Sequence, residues 1–216
     1  MLKVHGVPLS PFVRKVLYVL EHKGIEYDLT PVFPASDEPE FRAISPLGKI
    51  PALEHDGFGI ADSSVICRYL DQVFPDKPVY PADPKLQARV SWLEEYAGSR
   101  LIENCATVFR QRWLNPKMGG ECDEAAVENA INNELPKILA YLESVTPESG
   151  PLVSDQITIA DMSVVSSFIQ ARYGDYEVDG SAFPKLKAYL DRAFDSAIVK
   201  NRKLAEDAAV AATFPS

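Results

Sequence analysis

Cysteine is scarce in this chain of 216 residues: Cys67, Cys105 and Cys122 are odd in number and widely separated, which excludes a disulfide framework. No Cys-x-x-Cys pair occurs, and His5, His22 and His55 stand singly. A redox dithiol and a metal cluster are therefore both unexpected, and the histidines read as satisfied or exposed side chains. Apolar runs of the roughly 18 residues that cross a bilayer are missing. "MLKVHGVPLS" has neither the apolar core nor the small-residue cleavage site of a secretory signal. A basic excess is missing as well. The formal net charge is -9, with 7 basic and 10 acidic residues before Pro75 and 15 and 21 after it. Without a basic cluster in either part, no nucleic acid and no membrane surface is expected as a partner. There is no internal repeat and no low-complexity tract. The expected setting is a reducing cytoplasm.

What is present, 46% hydrophobic and 25% charged residues, is the composition of a globular protein large enough to bury a proper core. "LKVHGV" reads as a strand. The helix after it, within Val7–Gly24, has Ser10 as cap, Pro11 at the first turn, Val13, Val16, Leu17 and Leu20 at helical spacing, and Gly24 as stop. "IEYDLTPVF" reads as a second strand and "SDEPEFRAIS" as a short helix. "IPALEH" and "FGI" form a hairpin about Asp56-Gly57, and Asp62 or Ser63 caps a helix through "SVICRYLDQVF". The order β-α-β-α-β-β-α implies a parallel strand pair with an antiparallel hairpin added, hence a mixed sheet.

"FPDKPVYPADPK" holds Pro75, Pro78, Pro81 and Pro84 and cannot continue a helix. Beyond it strand signals vanish. Long helical patterns run through "LQARVSWLEEYAGSRLIENCATVFRQRWL", "DEAAVENAINNELPKILAYLESV" with a kink expected at Pro136, "TIADMSVVSSFIQARYG" and "FPKLKAYLDRAFDSAIVKNRKLAEDAAVAA". The predicted division is an α/β domain over 1–76, a proline-rich linker over 77–84 and an all-α domain over 85–216. Thr158 and Asp161 have capping-box spacing, with Ile157 placed to staple onto Met162, and these read as folding residues. Cys67 and Cys105 fall on apolar helical faces and read as packed side chains.

Three pieces converge on one kind of chemistry. Ser10 stands at one helix start, Asp62 and Ser63 at another, and Pro51 opens a strand between them, where a turn or a cis bond is a reason for proline. Helix starts offer free N–H groups and partial positive charge, so two of them flanking such a turn suit a small anion. Each piece also has a purely structural reading as a cap or a loop end.

Taken together and in order, "SPFVRKV", "PLGKIPAL", "DSSVICRYL" and "ITIADMSV" resemble the cytosolic glutathione S-transferase family, of the bacterial type that depends on serine, along essentially the whole chain. The resemblance implies a thioredoxin-like first domain whose Cys-x-x-Cys slot reads Ser10-Pro11-Phe12-Val13, so paired-cysteine exchange is not expected. It implies glutathione as co-substrate, no metal, a small electrophilic substrate and a homodimer. Ser10 matches the hydroxyl that donates to the glutathione sulfur, and Pro51 the family's cis-proline. The backbone of Ile50 matches the partner of the cysteinyl portion, and Lys49 is placed to reach the glycine carboxylate. Asp62 and Ser63 match the pair that holds the γ-glutamyl amine and carboxylate. Tyr96, Arg100, Thr107 and Trp113 fall on the helix that by resemblance borders the substrate pocket, at a spacing that equally suits core packing. A non-catalytic glutathione-binding or stress-adaptor protein of the same fold is the other reading that these residues allow.

Overall fold

The computed structural model describes residues 1–214. Its first part is β1 (Leu2–His5), α1 (Pro11–Lys23), β2 (Asp28–Thr30), α2 (Pro39–Ile44), β3 (Ala52–His55), β4 (Phe58–Ala61) and α3 (Ser63–Val73). The four strands form one mixed sheet in the order β2-β1-β3-β4. β1 is parallel to β2 and antiparallel to β3, and β3 and β4 are antiparallel. Asp56 and Gly57 take positive φ angles of 49 and 85°, the pair that a two-residue hairpin turn matched to strand twist requires. β2 is shorter than "IEYDLTPVF" suggests. It is an edge strand whose pairing ends at Thr30, and Pro31 has no N–H with which to extend it.

α1 ends in a Schellman motif. Gly24 adopts the left-handed conformation while its N–H donates to Glu21 O at 3.1 Å and that of Ile25 to Leu20 O at 2.9 Å. From Val13 to Leu20 every residue of α1 is buried, because the helix lies between the sheet and the helical half. The stretch between α3 and α4 (Pro84–Tyr96) is strapped down rather than loose. The Asp71 carboxylate accepts from the N–H groups of Val79 and Tyr80 at 2.9 and 3.2 Å, and Lys23 Nζ donates to the carbonyls of Phe74 and Asp76 at 2.8 and 3.0 Å.

The helical half begins with α4, α5 (Ile102–Phe109) and α6 (Asn115–Lys117), joined through widened turns at Ala97–Leu101 and Arg110–Leu114 into one continuous helical path. α7 (Glu124–Asn129) and α8 (Leu135–Val145) are joined likewise through Ala130–Glu134. That widened turn ends at Glu134, two residues before Pro136, which has no N–H for an ordinary helical bond and where the sequence predicts a kink. α9 (Ile159–Arg172) is the central helix and is buried on all sides. Ser163 and Ser167 satisfy their hydroxyls on carbonyls one turn back, at 2.8 and 3.0 Å.

The Thr158–Asp161 capping box is formed. The Asp161 carboxylate accepts from the N–H groups of Leu152 and Thr158 and from the hydroxyls of Thr158 and Tyr189, at 2.8 to 2.9 Å. Ile157 is 41% exposed and, with Met162, lines one groove. α10 (Pro184–Asp195) and α11 (Ala197–Thr213) are separate helices, since Ser196 takes extended backbone angles between them. Among the described residues no helix is long and apolar enough to cross a membrane.

Cys67 and Cys105 are fully buried, and burial pushes the Cys67 thiol up to about 12 and the Cys105 thiol well above its ordinary range. An aromatic disulfide reagent is expected to titrate one thiol, Cys122, in the native protein and all three after denaturation. Rapid labelling of Cys67 in the native state would contradict this packing.

Candidate functional site

The strand register brings three predicted pieces to one end of the sheet. His5 pairs with Ala52 and Ala52 with Ala61, so the next residue of each strand, Gly6, Pro51 and Asp62, leaves the sheet at the same edge. Gly6 makes the approach close. A Cβ there would lie 2.5 Å from Val13 Cγ2 and 3.4 Å from Ile50 Cβ, so the first turn of α1 and the Ile50–Pro51 turn meet across a position only glycine fits.

Ser10 is the N-cap of α1, with extended backbone angles. Its Oγ stands 3.4 Å from the Val13 N–H, long for a capping bond, and its hydroxyl proton has no acceptor among the described residues. The side chain is half-buried at the helix N-terminus, where partial positive charge favours an anion.

The Ile50–Pro51 bond is cis and both residues are buried. Among the described residues neither the N–H nor the carbonyl of Ile50 has a hydrogen-bond partner in the chain. The turn before it is fixed by the Ser45 hydroxyl, which donates to Lys49 O at 2.7 Å, and by Gly48 at φ 64°. A Cβ on Gly48 would meet the Arg42 guanidinium at 2.7 Å. Lys49 extends from this turn as an exposed side chain.

Asp62 caps α3 from an unusual backbone conformation for a non-glycine residue, φ 78° and ψ 125°. Such a conformation costs about 1–3 kcal/mol and persists where the surroundings impose it. One carboxylate oxygen, Oδ1, accepts from the N–H groups of Ser64 and Val65 at 2.9 and 3.2 Å. Oδ2 has no partner among the described residues. Ser63 follows, buried in the first turn of α3.

Two neighbours of Ser10 that sequence reasoning passed over hold this assembly. Arg14 is fully buried: its Nε and Nη2 donate to both oxygens of Glu206 on α11 at 2.8 and 2.6 Å, and its Nη1 to Ser166 O on α9 at 2.9 Å. Lys15 donates to Ser64 Oγ and to Glu94 on α4, each at 2.9 Å, and the Tyr80 hydroxyl occupies the other Glu94 oxygen at 2.8 Å. Helical periodicity marks apolar faces, and it gave no sign that the polar face of α1 is also covered. The adjacent Arg-Lys pair inside an apolar helix was the available signal.

Of the four residues expected beside a substrate pocket, Tyr96 packs on Tyr141 and donates to Ile138 O at 3.2 Å, while Arg100 pairs with Glu103 and Glu134 at 3.1 Å. Thr107 is half-buried and bonds within its own helix. Trp113 joins an aromatic cluster with Phe109, Tyr173 and Phe214, at centroid separations of 5.1 to 5.8 Å. The Tyr173 hydroxyl donates to Glu206, the partner of Arg14, at 2.8 Å.

A thioredoxin-like domain without the redox cysteines, an anion-suited helix start beside a cis-proline, and an appended helical domain define a thiol-binding class of protein. Family models match in both parts: "Glutathione S-transferase, N-terminal domain" over residues 4–78 and "Glutathione S-transferase, C-terminal domain" over residues 109–201. Glutathione S-transferase 3 of Zea mays is 32% identical over 74% of this chain and 73% of its own length. A glutathione S-transferase of Hyoscyamus muticus is 30% identical over 74% of this chain and 78% of its own. The crystal structure of glutathione transferase F2 from Populus trichocarpa shares the fold, with a TM-score of 0.81 over 96% of this chain and 100% of that one at 24% identity. The chain belongs to the glutathione S-transferase family.

Proposed function

We propose that this glutathione transferase binds glutathione at the sheet edge, holds its thiol as thiolate through Ser10, and directs the sulfur onto a small electrophile. The observation that carries the reading is the Ser10 hydroxyl, aimed from a helix start and bound only weakly to its own helix. It donates to the sulfur and is never itself the nucleophile. The thiol proton leaves to solvent, a sulfur–carbon bond forms, and the electrophile's leaving group or π-electron pair departs with the displaced charge.

The size of the demand can be checked. A free thiol has a pKa of about 8.5, and lowering it by about two units requires ~2.7 kcal/mol of preference for the anion. A hydrogen bond to a charged group contributes roughly 1.5–3 kcal/mol and a helix terminus about 0.3–1 more. The two together suffice.

The remaining groups are assigned to holding the tripeptide. The unpaired N–H and carbonyl of Ile50, beside Pro51, suit the backbone of the cysteinyl portion, and Lys49 suits the glycine carboxylate. The free Asp62 oxygen suits the γ-glutamyl amine, and Ser63 with the α3 N-terminus suits its carboxylate. Asp62→Ala and Ser63→Ala are each expected to weaken glutathione binding about ten- to a hundredfold, the loss that follows removal of a partner from a charged group. Calorimetry that shows unchanged affinity in both variants would withdraw this pair from the site. The test of the activity itself is ultraviolet thiolate absorbance when glutathione binds near neutral pH, read beside turnover with a panel of electrophiles. Binding without that absorbance would make the protein a glutathione-binding adaptor.

The same reading extends to assembly and organisation. Phe58 on β4, Val65 on α3 and Trp92 on α4 are 47, 45 and 52% exposed, an apolar surface that a homodimer would cover. The domain division 1–76, 77–84 and 85–216 is kept, with residues 215 and 216 outside the described ones; the confinement of all strands before α3 and the prolines between α3 and α4 support it. Three unpaired cysteines agree with a reducing cytoplasm.

A further inference from the structure

Three buried serines lie along α9, and one of them does not serve its own helix. The Ser163 and Ser167 hydroxyls bond back to carbonyls one turn earlier, the usual use of a serine inside a helix. Ser166 instead turns its hydroxyl across to α1 and donates to the Pro11 carbonyl at 2.7 Å. Pro11 directly follows Ser10. The carbonyl of Leu9, directly before Ser10, accepts from Arg14 Nη2 at 3.4 Å. These two contacts form one assembly, because Arg14 Nη1 donates to the Ser166 carbonyl at 2.9 Å and to its hydroxyl oxygen at 3.3 Å. Gln170, one turn further along α9, accepts from Arg14 Nη2 at 3.2 Å.

The bonds that Ser10 makes itself are all local. Its N–H donates to Val7 O at 3.0 Å, its carbonyl accepts from the Arg14 N–H at 2.9 Å, and its side chain stands 3.4 Å from the Val13 N–H. Such bonds shape the turn and the helix start without fixing where they stand relative to the rest of the molecule. The carbonyls on either side of Ser10 do fix it, since they are tied to α9, the helix buried on all sides. Placement matters because a hydrogen bond weakens steeply with misalignment, and a displacement of about 1 Å can cost about a hundredfold in rate. We propose that Ser166 is a positioning residue for thiol activation: together with Arg14 it clamps the backbone on both sides of Ser10 and so aims the Ser10 hydroxyl at the glutathione sulfur. This inference rests on the role proposed above for Ser10.

The test is a pH titration of ultraviolet thiolate absorbance in the glutathione complex of the full-length protein, which reads ionisation without any electrophile. Ser166→Ala should raise the inflection by about 0.3–1 unit, the 2- to 10-fold effect of one neutral hydrogen bond. Glutathione affinity, measured by calorimetry, should stay within about twofold of wild type. Ser163→Ala is an equal truncation in the same helix, at a hydroxyl that serves the Ile159 carbonyl, and it should keep the wild-type inflection. In the Ser10→Ala background Ser166→Ala should add no shift, because the hydroxyl it aims is gone. Ser166→Cys, similar in shape with only a weak donor, supplies the same comparison should the alanine variant fail to fold. A wild-type inflection in the Ser166 variants beside a raised one in Ser10→Ala would overturn the clamp and leave Ser10 in its role. So would an equal shift in Ser163→Ala, or a further shift in the double variant. An unshifted inflection in Ser10→Ala would withdraw the reading of Ser10 and the clamp with it.

Discussion

Ser10→Ala is expected to lower conjugation turnover by roughly ten- to a hundredfold near pH 6.5 while glutathione affinity stays within a few-fold. A hydrogen bond to an anion is worth about 1.5–3 kcal/mol, and in the proposed site it would act on the ionisation of sulfur rather than on the contacts assigned to holding the tripeptide. The pH profile separates this effect from a general loss of function. With the hydroxyl present, the bound thiol should ionise well below the free one, so the rate per bound complex should rise with pH and level at about 6–7 rather than near 8.5. In Ser10→Ala that inflection should move upward by about one to two units, since one unit corresponds to ~1.36 kcal/mol. Stability should fall by less than about 1 kcal/mol, because the capping contact to Val13 is already long at 3.4 Å. A folded variant with the wild-type inflection would remove Ser10 from thiol activation.

Glu206→Ala and Arg14→Met should each destabilise the protein by about 3–5 kcal/mol, a fall in melting temperature of roughly 6–20 °C. Either change strands its former partner as a buried, uncompensated charge. Arg14 would lose both Glu206 oxygens, and Glu206 would retain only the Tyr173 hydroxyl. The double variant Arg14→Met/Glu206→Leu should recover much of the loss, since replacing a buried pair by apolar side chains of similar volume is often neutral or stabilising. Urea denaturation of the three variants measures this coupling directly. Single losses below about 1 kcal/mol would show that the pair is more hydrated than its full burial implies.

Much of this architecture was legible in the sequence because the relevant signals are local. Ser10-Pro11 with Gly24 bounds α1, Asp56-Gly57 specifies its turn type, and Thr158 with Asp161 closes a box three residues apart. The proline at 136 located a distorted helix, though its form, a widened turn, depends on how neighbouring carbonyls adapt. The alignment of Gly6, Pro51 and Asp62 at one sheet edge follows from strand register, which hydrophobic alternation and a two-residue turn together fix. What stayed hidden was long-range. Nothing near Arg14 in the sequence points to Glu206, and nothing near Lys15 points to Glu94, since these partners meet only when the halves pack. The aromatic cluster was hidden for the same reason, with Trp113 and Tyr173 on different helices. The break at Ser196 was masked by good helix formers on both sides.

The neighbouring cations of α1 also limit how such a chain can be rebuilt. A chimera joined at the proline-rich stretch, with the sheet half of this protein and the helical half of a relative, would carry Arg14 and Lys15 into a foreign surface. Unless that surface supplied carboxylates where Glu94 and Glu206 stand, both charges would be sealed away without counterions, each at a cost of several kcal/mol. The sheet and the helices are thus matched like key and ward: exchange of the helical half whole requires the two acids to travel with it.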